Sequence, residues 1–186
     1  MKALLITILL AFSSAGQAAL LTWQSDQNPL QVGDSLNVQL RVSDFNELLG
    51  GFSGQVSYAL AGLELTGWQF GDGFDDGLGS LQMDDHNALA GTLTLDDYAD
   101  LFADALVIGA KQGTDFVLAT LSFRAISAGL HSIGLDSLSL VSFDNQDLLM
   151  PQLSALTIQV QDAAQVPVPA TILLLASGLL LLRRRL

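Results

Sequence analysis

The chain has 186 residues, no cysteine, 7 Lys and Arg against 19 Asp and Glu, and a net charge of −12. The cysteine count excludes disulfides, a thiolate metal site, a cysteine nucleophile and a lipidated cysteine behind a leader. Four basic residues (Lys2 and Arg183 to Arg185) lie in the two ends, so the interior sets three cations, Arg41, Lys111 and Arg124, against nineteen acids. That balance of −16 repels nucleic acid and anionic lipid alike.

Lys2 precedes an apolar run from Ala3 to Phe12 and then the small residues Ser13 to Gly16. This is the pattern of a secretory signal helix over residues 1–18, with Gly16-Gln17-Ala18 as the cleavage box and the cut between Ala18 and Ala19. A permanent anchor needs about twice that apolar length. Residues 19–162 then form one domain of ordinary size, long enough to bury a core without staples.

Leu20 to Gln24 reads as a first strand, closed by the turn residues Asp26, Asn28 and Pro29. Leu36, Val38, Leu40 and Val42 alternate with Asn37, Gln39, Arg41 and Ser43, the pattern of a strand with one buried face. Phe52, Gly54, Val56 and Tyr58 repeat it after Gly50-Gly51, and Leu63 to Phe70 is a further strand. Residues 71–87 break the alternation: Gly71 to Gly77 and Asp84 to Asn87 have loop chemistry. Ala88 to Leu95 predicts a short strand. Asp96 and Asp97 then predict a helix cap, with Tyr98, Leu101, Phe102, Ala105 and Ile108 on the apolar face of a helix ending near Gly109. Asp96, Asp97, Asp100 and Asp104 would lie along one helix face, either solvated or docking a partner. Val117, Ala119, Leu121 and Phe123 resume period two, and pairs around Ile133, Val141 and Ile158 give three more strands. The sum is an antiparallel β-sandwich with one short inserted helix.

Two stretches resemble a known family. Val32 to Val38 followed by Gly51-Phe52 through Val56-Ser57-Tyr58, and later Phe116 to Phe123 followed by Ala128-Gly129, look like cohesin-like domains. The resemblance covers most of residues 20–161 and implies a nine-stranded jelly-roll sandwich related to carbohydrate-binding modules. Such sequences commonly carry Asp-Pro after the Tyr, where this chain has Ala59-Leu60.

Asp72, Asp75, Asp76, Asp84 and Asp85 are candidate ligands for calcium, a hard cation that takes carboxylate and carbonyl oxygens. An EF-hand loop starting at Asp72 fails, because Phe74 and Met83 fall on ligand positions. A solvated acidic loop is the other reading. His86 lies beside acids, and His131 falls in a strand facing solvent or filling a sheet edge. One histidine near acids is not a site. No nucleophile elbow, zinc-helix motif or phosphate loop occurs, and Glu47 and Glu64 are the only glutamates available for an acid pair. The chain is therefore read as no enzyme and as having no cofactor beyond the candidate calcium. Trp23, Trp68, Tyr58 and Tyr98 either stack on sugar rings from an exposed face or pack in the core.

Residues 163–186 form a tail: Val166-Pro167-Val168-Pro169-Ala170, an uncharged apolar helix to Leu182, then Arg183-Arg184-Arg185. The helix from Ala170 to Leu182 rises roughly 20 Å against a bilayer core of roughly 30 Å, so it is short for a permanent span. Terminal arginines favour the cytoplasmic side and leave the domain outside. This arrangement resembles the PEP-CTERM sorting tail of Gram-negative bacteria, with Ser177-Gly178 as its small step and Val168 where the motif usually has Glu. The resemblance implies passage through the inner membrane, cutting near the motif by an exosortase-like protease, and delivery to the cell surface or extracellular matrix. The expected function is non-catalytic binding of polysaccharide or a matrix protein. The alternative is a structural, adhesive biofilm component with no specific ligand, stabilised by calcium.

Overall fold

A computed structural model describes residues 20–45, 47–144, 146–148 and 153–163. The expected leader with Ala18 and Ala19, and the residues expected to direct sorting, Val166 to Ala170 and Arg183 to Arg185, lie outside the described residues. Among those described, no helix is long and apolar enough to cross a membrane.

In chain order the elements are β1 (Leu20–Ser25), β2 (Leu30–Gln31), β3 (Ser35–Ser43), β4 (Leu49–Tyr58), β5 (Leu63–Phe70), β6 (Ser80–Asn87) and β7 (Thr92–Ala99). There follow α1 (Ala105–Gln112), β8 (Asp115–Ala125), β9 (Gly129–Ser142), β10 (Asp147–Leu148) and β11 (Leu156–Gln161). One sheet has the order β1-β3-β8-β5; the other runs β2-β11-β9-β4-β7-β6, with β10 added to β9. Neighbours are antiparallel except β2 and β11, which are parallel. The chain enters through both sheets, and Asn28 makes the crossing. Its side chain donates to Thr157 O (3.1 Å) and accepts from Gln159 N (3.1 Å), standing in for a strand neighbour of β11.

The core lies between the sheets, as the alternation predicts. Leu36, Val38, Leu40 and Val42 of β3 face Phe52, Val56 and Tyr58 of β4 and Leu93 and Leu95 of β7. In β8 the alternation changes phase at a bulge opposite Leu40 and Arg41, where Leu118 is the extra residue. Phe116 and Leu118 before it, and Ala119, Leu121 and Phe123 after it, are all buried; Val117 is not.

The inserted helix is present but sits later than the spacing predicts. Residues 96–99 belong to β7, and α1 begins after Asp104, whose Oδ1 accepts from Leu106 N at 2.8 Å. Gly113, at φ 53°, closes it by donating to Gly109 O. Leu101 and Phe102, assigned by periodicity to a buried helix face, lie in a turn at 95% and 93% exposure. The turn is held by Asp100, whose carboxylate accepts from Phe102 N at 2.8 Å. Asp84 to Asn87, expected in a loop, are strand β6.

Candidate functional site

Loop 71–79 is anchored rather than freely solvated. Phe74 is buried in the core against Phe52 and Phe116, with ring centroids at 5.9 and 5.5 Å. That plug turns the flanking carboxylates back onto the loop's own backbone. Asp75 Oδ1 accepts from Gly77 N and Gly79 N, both at 2.7 Å, and Oδ2 lies 3.6 Å from Lys111 Nζ. The two backbone donors, and then the Lys111 charge, hold the Asp75 carboxyl below its usual range. Asp76 accepts from Leu78 N and, through Oδ2, from Asp104 N at 3.0 Å. Asp84 and Asp85 stand apart on β6, pointing to opposite faces of its sheet. Among the described residues no three His, Asp or Glu side chains gather as an ion would require. The five acids named as candidate ligands are thus not brought into one shell.

Neither histidine is placed as a base. His86 Nε2 pairs with Tyr58 OH at 2.8 Å, and its ring meets Trp68 edge-on at 5.5 Å. Burial, and then the nearby Glu64 charge, raise the Tyr58 hydroxyl above its ordinary value, so it stays a neutral hydrogen-bonding group. His131, expected at the surface or an edge, is buried. Its Nε2 lies 2.9 Å from Ser127 O, an acceptor that assigns the proton to this nitrogen. Glu64 is paired with Arg124 on the outer face of the first sheet. Trp23 and Trp68 pack against the core and Tyr58 is buried in it. Core packing therefore accounts for three of the four large aromatics. Tyr98 alone lines an outer groove.

That groove follows from strand register. On the outer face of the second sheet, cross-strand pairing sets side chains in rows across β9, β4, β7 and β6. The terminal row is apolar: Val141, Gly51, Tyr98 and Leu81. Gly51 is obligatory there, since a Cβ would lie 2.2 Å from the Tyr98 ring, which rests over the β4 backbone. The next rows are polar apart from Met83: Ser139, Ser53, Asp96 and Met83, then Ser137, Gln55, Thr94 and Asp85. Leu101 and Phe143 form the lip of a groove of about 620 Å³ over the apolar row, with Asp100 beside them. Leu78, Leu101, Phe102 and Leu106 lie exposed at the loops and helix of the same end, and Leu81 is 59% exposed. A concentration of exposed apolar side chains rimmed by acids is the signature of an interaction surface. The signal in the sequence was Leu81 alternating with Met83, obscured by the acids that follow.

No family model and no curated protein sequence matches the chain. Among solved structures, a type II cohesin domain from the cellulosome of Acetivibrio cellulolyticus superposes with a TM-score of 0.66. Identity is 13%, over 76% of this chain and 95% of that one. The fold is that of a cohesin. A cohesin module from a family 33 glycoside hydrolase of Clostridium perfringens gives 0.58 at 11% identity, over 79% of this chain and 98% of its own. The cohesin–dockerin complex Coh-OlpA–Doc918 from Clostridium thermocellum gives 0.63 at 13% identity, over 77% and 99%. The cohesin fold accounts for the two-sheet sandwich expected from the resemblance; at these identities the likeness is one of fold.

Proposed function

We propose that this chain is an exported, non-catalytic module that binds a protein partner through the outer face of β9-β4-β7-β6. The observation that carries the reading is the apolar row Val141–Tyr98–Leu81 with the exposed Leu101 at its lip. Support of a second kind comes from the cohesin fold, since the Clostridium thermocellum neighbour of that fold is a cohesin in complex with a dockerin. A protein partner is favoured over polysaccharide because Trp23, Trp68 and Tyr58 are committed to packing rather than to a stacking face. The partner presents apolar side chains to the groove and basic ones to Asp96 and Asp100.

The test is crosslinking in intact cells with the full chain and with Leu81→Asp/Leu101→Asp. A specific protein adduct lost in the double variant, at unchanged protein level, supports the reading. Retention by purified exopolysaccharide, unaffected by the double variant, replaces it.

The leader and the Val166 to Arg185 tail carry the rest of the proposal: export, passage through the inner membrane and processing near Pro167 by an exosortase-like protease. Intact mass of the protein recovered separately from envelope and matrix tests this part. Loss of about 18 residues from the front and of the tail after about Val166 is expected; an uncut tail in the membrane fraction overturns it.

A further inference from the structure

Asp97 occupies a position that the fold reserves for an apolar side chain. It follows Leu93 and Leu95 on the inward face of β7, and like them it is buried, at 0% exposure. Neither carboxylate oxygen has a hydrogen-bond partner. Its cross-strand neighbours are Phe52 on β4 and Gln82 on β6. Gln82 Nε2 gives one of its two hydrogens to Ser80 Oγ at 3.1 Å, and the other does not reach the Asp97 carboxylate. Loop 71–79 contributes Asp75, a like charge that adds to the penalty. Lys111 of α1 answers Asp75 and makes no ion pair with Asp97. Along the same inward side of β6 follow Asp84 and His86, the latter held by Tyr58. No cation faces Asp97 from these elements, and an unpaired buried carboxylate is costly when ionised.

We propose that Asp97 is a proton-controlled latch for the β6 edge: protonated, it seals between β4 and β6; ionised, it draws in water and loosens β6 together with loop 71–79. Burial, only partly offset by nearby Ser80 and Gln82, holds its acid at about 6, so the change falls in mildly acidic to neutral conditions. The strand that loosens carries Leu81 of the apolar row, so the latch sets the shape of the groove. Its regulatory meaning rests on the partner-binding reading above; its structural consequence does not.

Hydrogen exchange of the full chain, corrected for intrinsic rates, at pH 5 and pH 7.5 tests it. Opening of the 80–87 amides is expected to rise about tenfold between these pH values and to stay far more frequent than that of β3, which opens only in global unfolding. In Asp97→Asn the rise disappears. A flat profile in the wild-type chain, or the same rise in Asp97→Asn, overturns the latch. Abolition of the rise by calcium also overturns it, by making the carboxylate a cation ligand. Should the variant fail to fold, carboxyl ¹³C titration of the wild-type chain decides: a midpoint in the ordinary aspartate range sinks the proposal. The two readings fail separately. Loss of the crosslink in Leu81→Asp/Leu101→Asp with flat exchange removes the latch alone, and pH-dependent exchange with an intact crosslink removes the docking face alone.

Discussion

Gln112 and Leu49 exchange two hydrogen bonds: Leu49 N donates to Gln112 Oε1 at 3.0 Å, and Gln112 Nε2 donates to Leu49 O at 2.7 Å. The side-chain amide of the last residue of α1 thus pairs with the first residue of β4 as a neighbouring strand would. A third bond, from Nε2 to Gly73 O at 3.0 Å, ties loop 71–79 to the same point. The site is fully buried, so each group left behind has no water to turn to. Gln112→Ala should cost about 3 kcal/mol in chemical denaturation. Gln112→Glu, which keeps the acceptor and loses the donor to two carbonyls, should cost as much or more. A loss below about 1 kcal/mol in both would show the staple to be dispensable.

Gly62 and His131 form a second close relationship. A Cβ on Gly62 would lie 2.0–2.1 Å from three atoms of the imidazole, whose Nε2 is fixed to Ser127 O. Gly62→Ala should therefore destabilise by about 2 kcal/mol through overpacking. His131→Ala removes the obstacle, so the double variant should be less unstable than the sum of the two singles. Strict additivity in that cycle would place the clash elsewhere.

Asp97 predicts how stability depends on pH. Its folded-state acid is raised from the ordinary 3.8 to about 6. The folded state then binds the proton more tightly than the unfolded chain, and stability falls as pH rises from about 4 through about 6, by about 3 kcal/mol. The depressed Asp75 acid acts in the opposite sense, with its contribution lost as pH falls through its folded value below 3.8. The melting temperature should pass through a maximum near pH 4–5, and Asp97→Asn should raise it at pH 7.5 more than at pH 4.5. A wild-type melting temperature that climbs from pH 4.5 to 7.5 contradicts the assignment.

Asp104 caps α1 through Leu106 N, while its own N–H is held by Asp76. Asp104→Ala should cost about 1 kcal/mol, and Asp104→Ser should recover most of it. Circular dichroism is too coarse for eight helical residues, so a denaturant midpoint is the appropriate measure. Equal losses in both variants would count against the cap.

The strands with a clean apolar face were legible because burial on one side imposes period two: β3 and β4 carry Leu36 to Val42 and Phe52 to Tyr58 inward, as their spacing predicts. The β6–β7 hairpin was not. On β6 the inward row is Ser80, Gln82, Asp84 and His86, because an edge strand overhangs the core and its inner side chains need not be apolar. Without apolar alternation it resembles a loop. Asp96 and Asp97 then mimic a helix cap, although Leu93 and Leu95 before them set a period that Asp97 continues. The true cap, Asp104, was marked by Gly113 at the far end of a single short helix. In the acidic loop, Asp75 and Asp76 answer backbone N–H groups, a partner type that composition does not display. The groove was hidden for a related reason, since Val141, Tyr98 and Leu81 become neighbours only through register across four strands.

The parallel pairing of β2 with β11 brings Gln31 beside Gln161 at one edge of the second sheet, while β6 forms the opposite edge. From β11 to β6 there are four strand spacings, about 19 Å. A pull arriving through residue 163 and resisted by a partner seated at Leu81 would cross the sheet from one rim to the other. It would be borne by the ladders of β9, β4 and β7 in series, leaving the first sheet as a backing layer outside the line of tension.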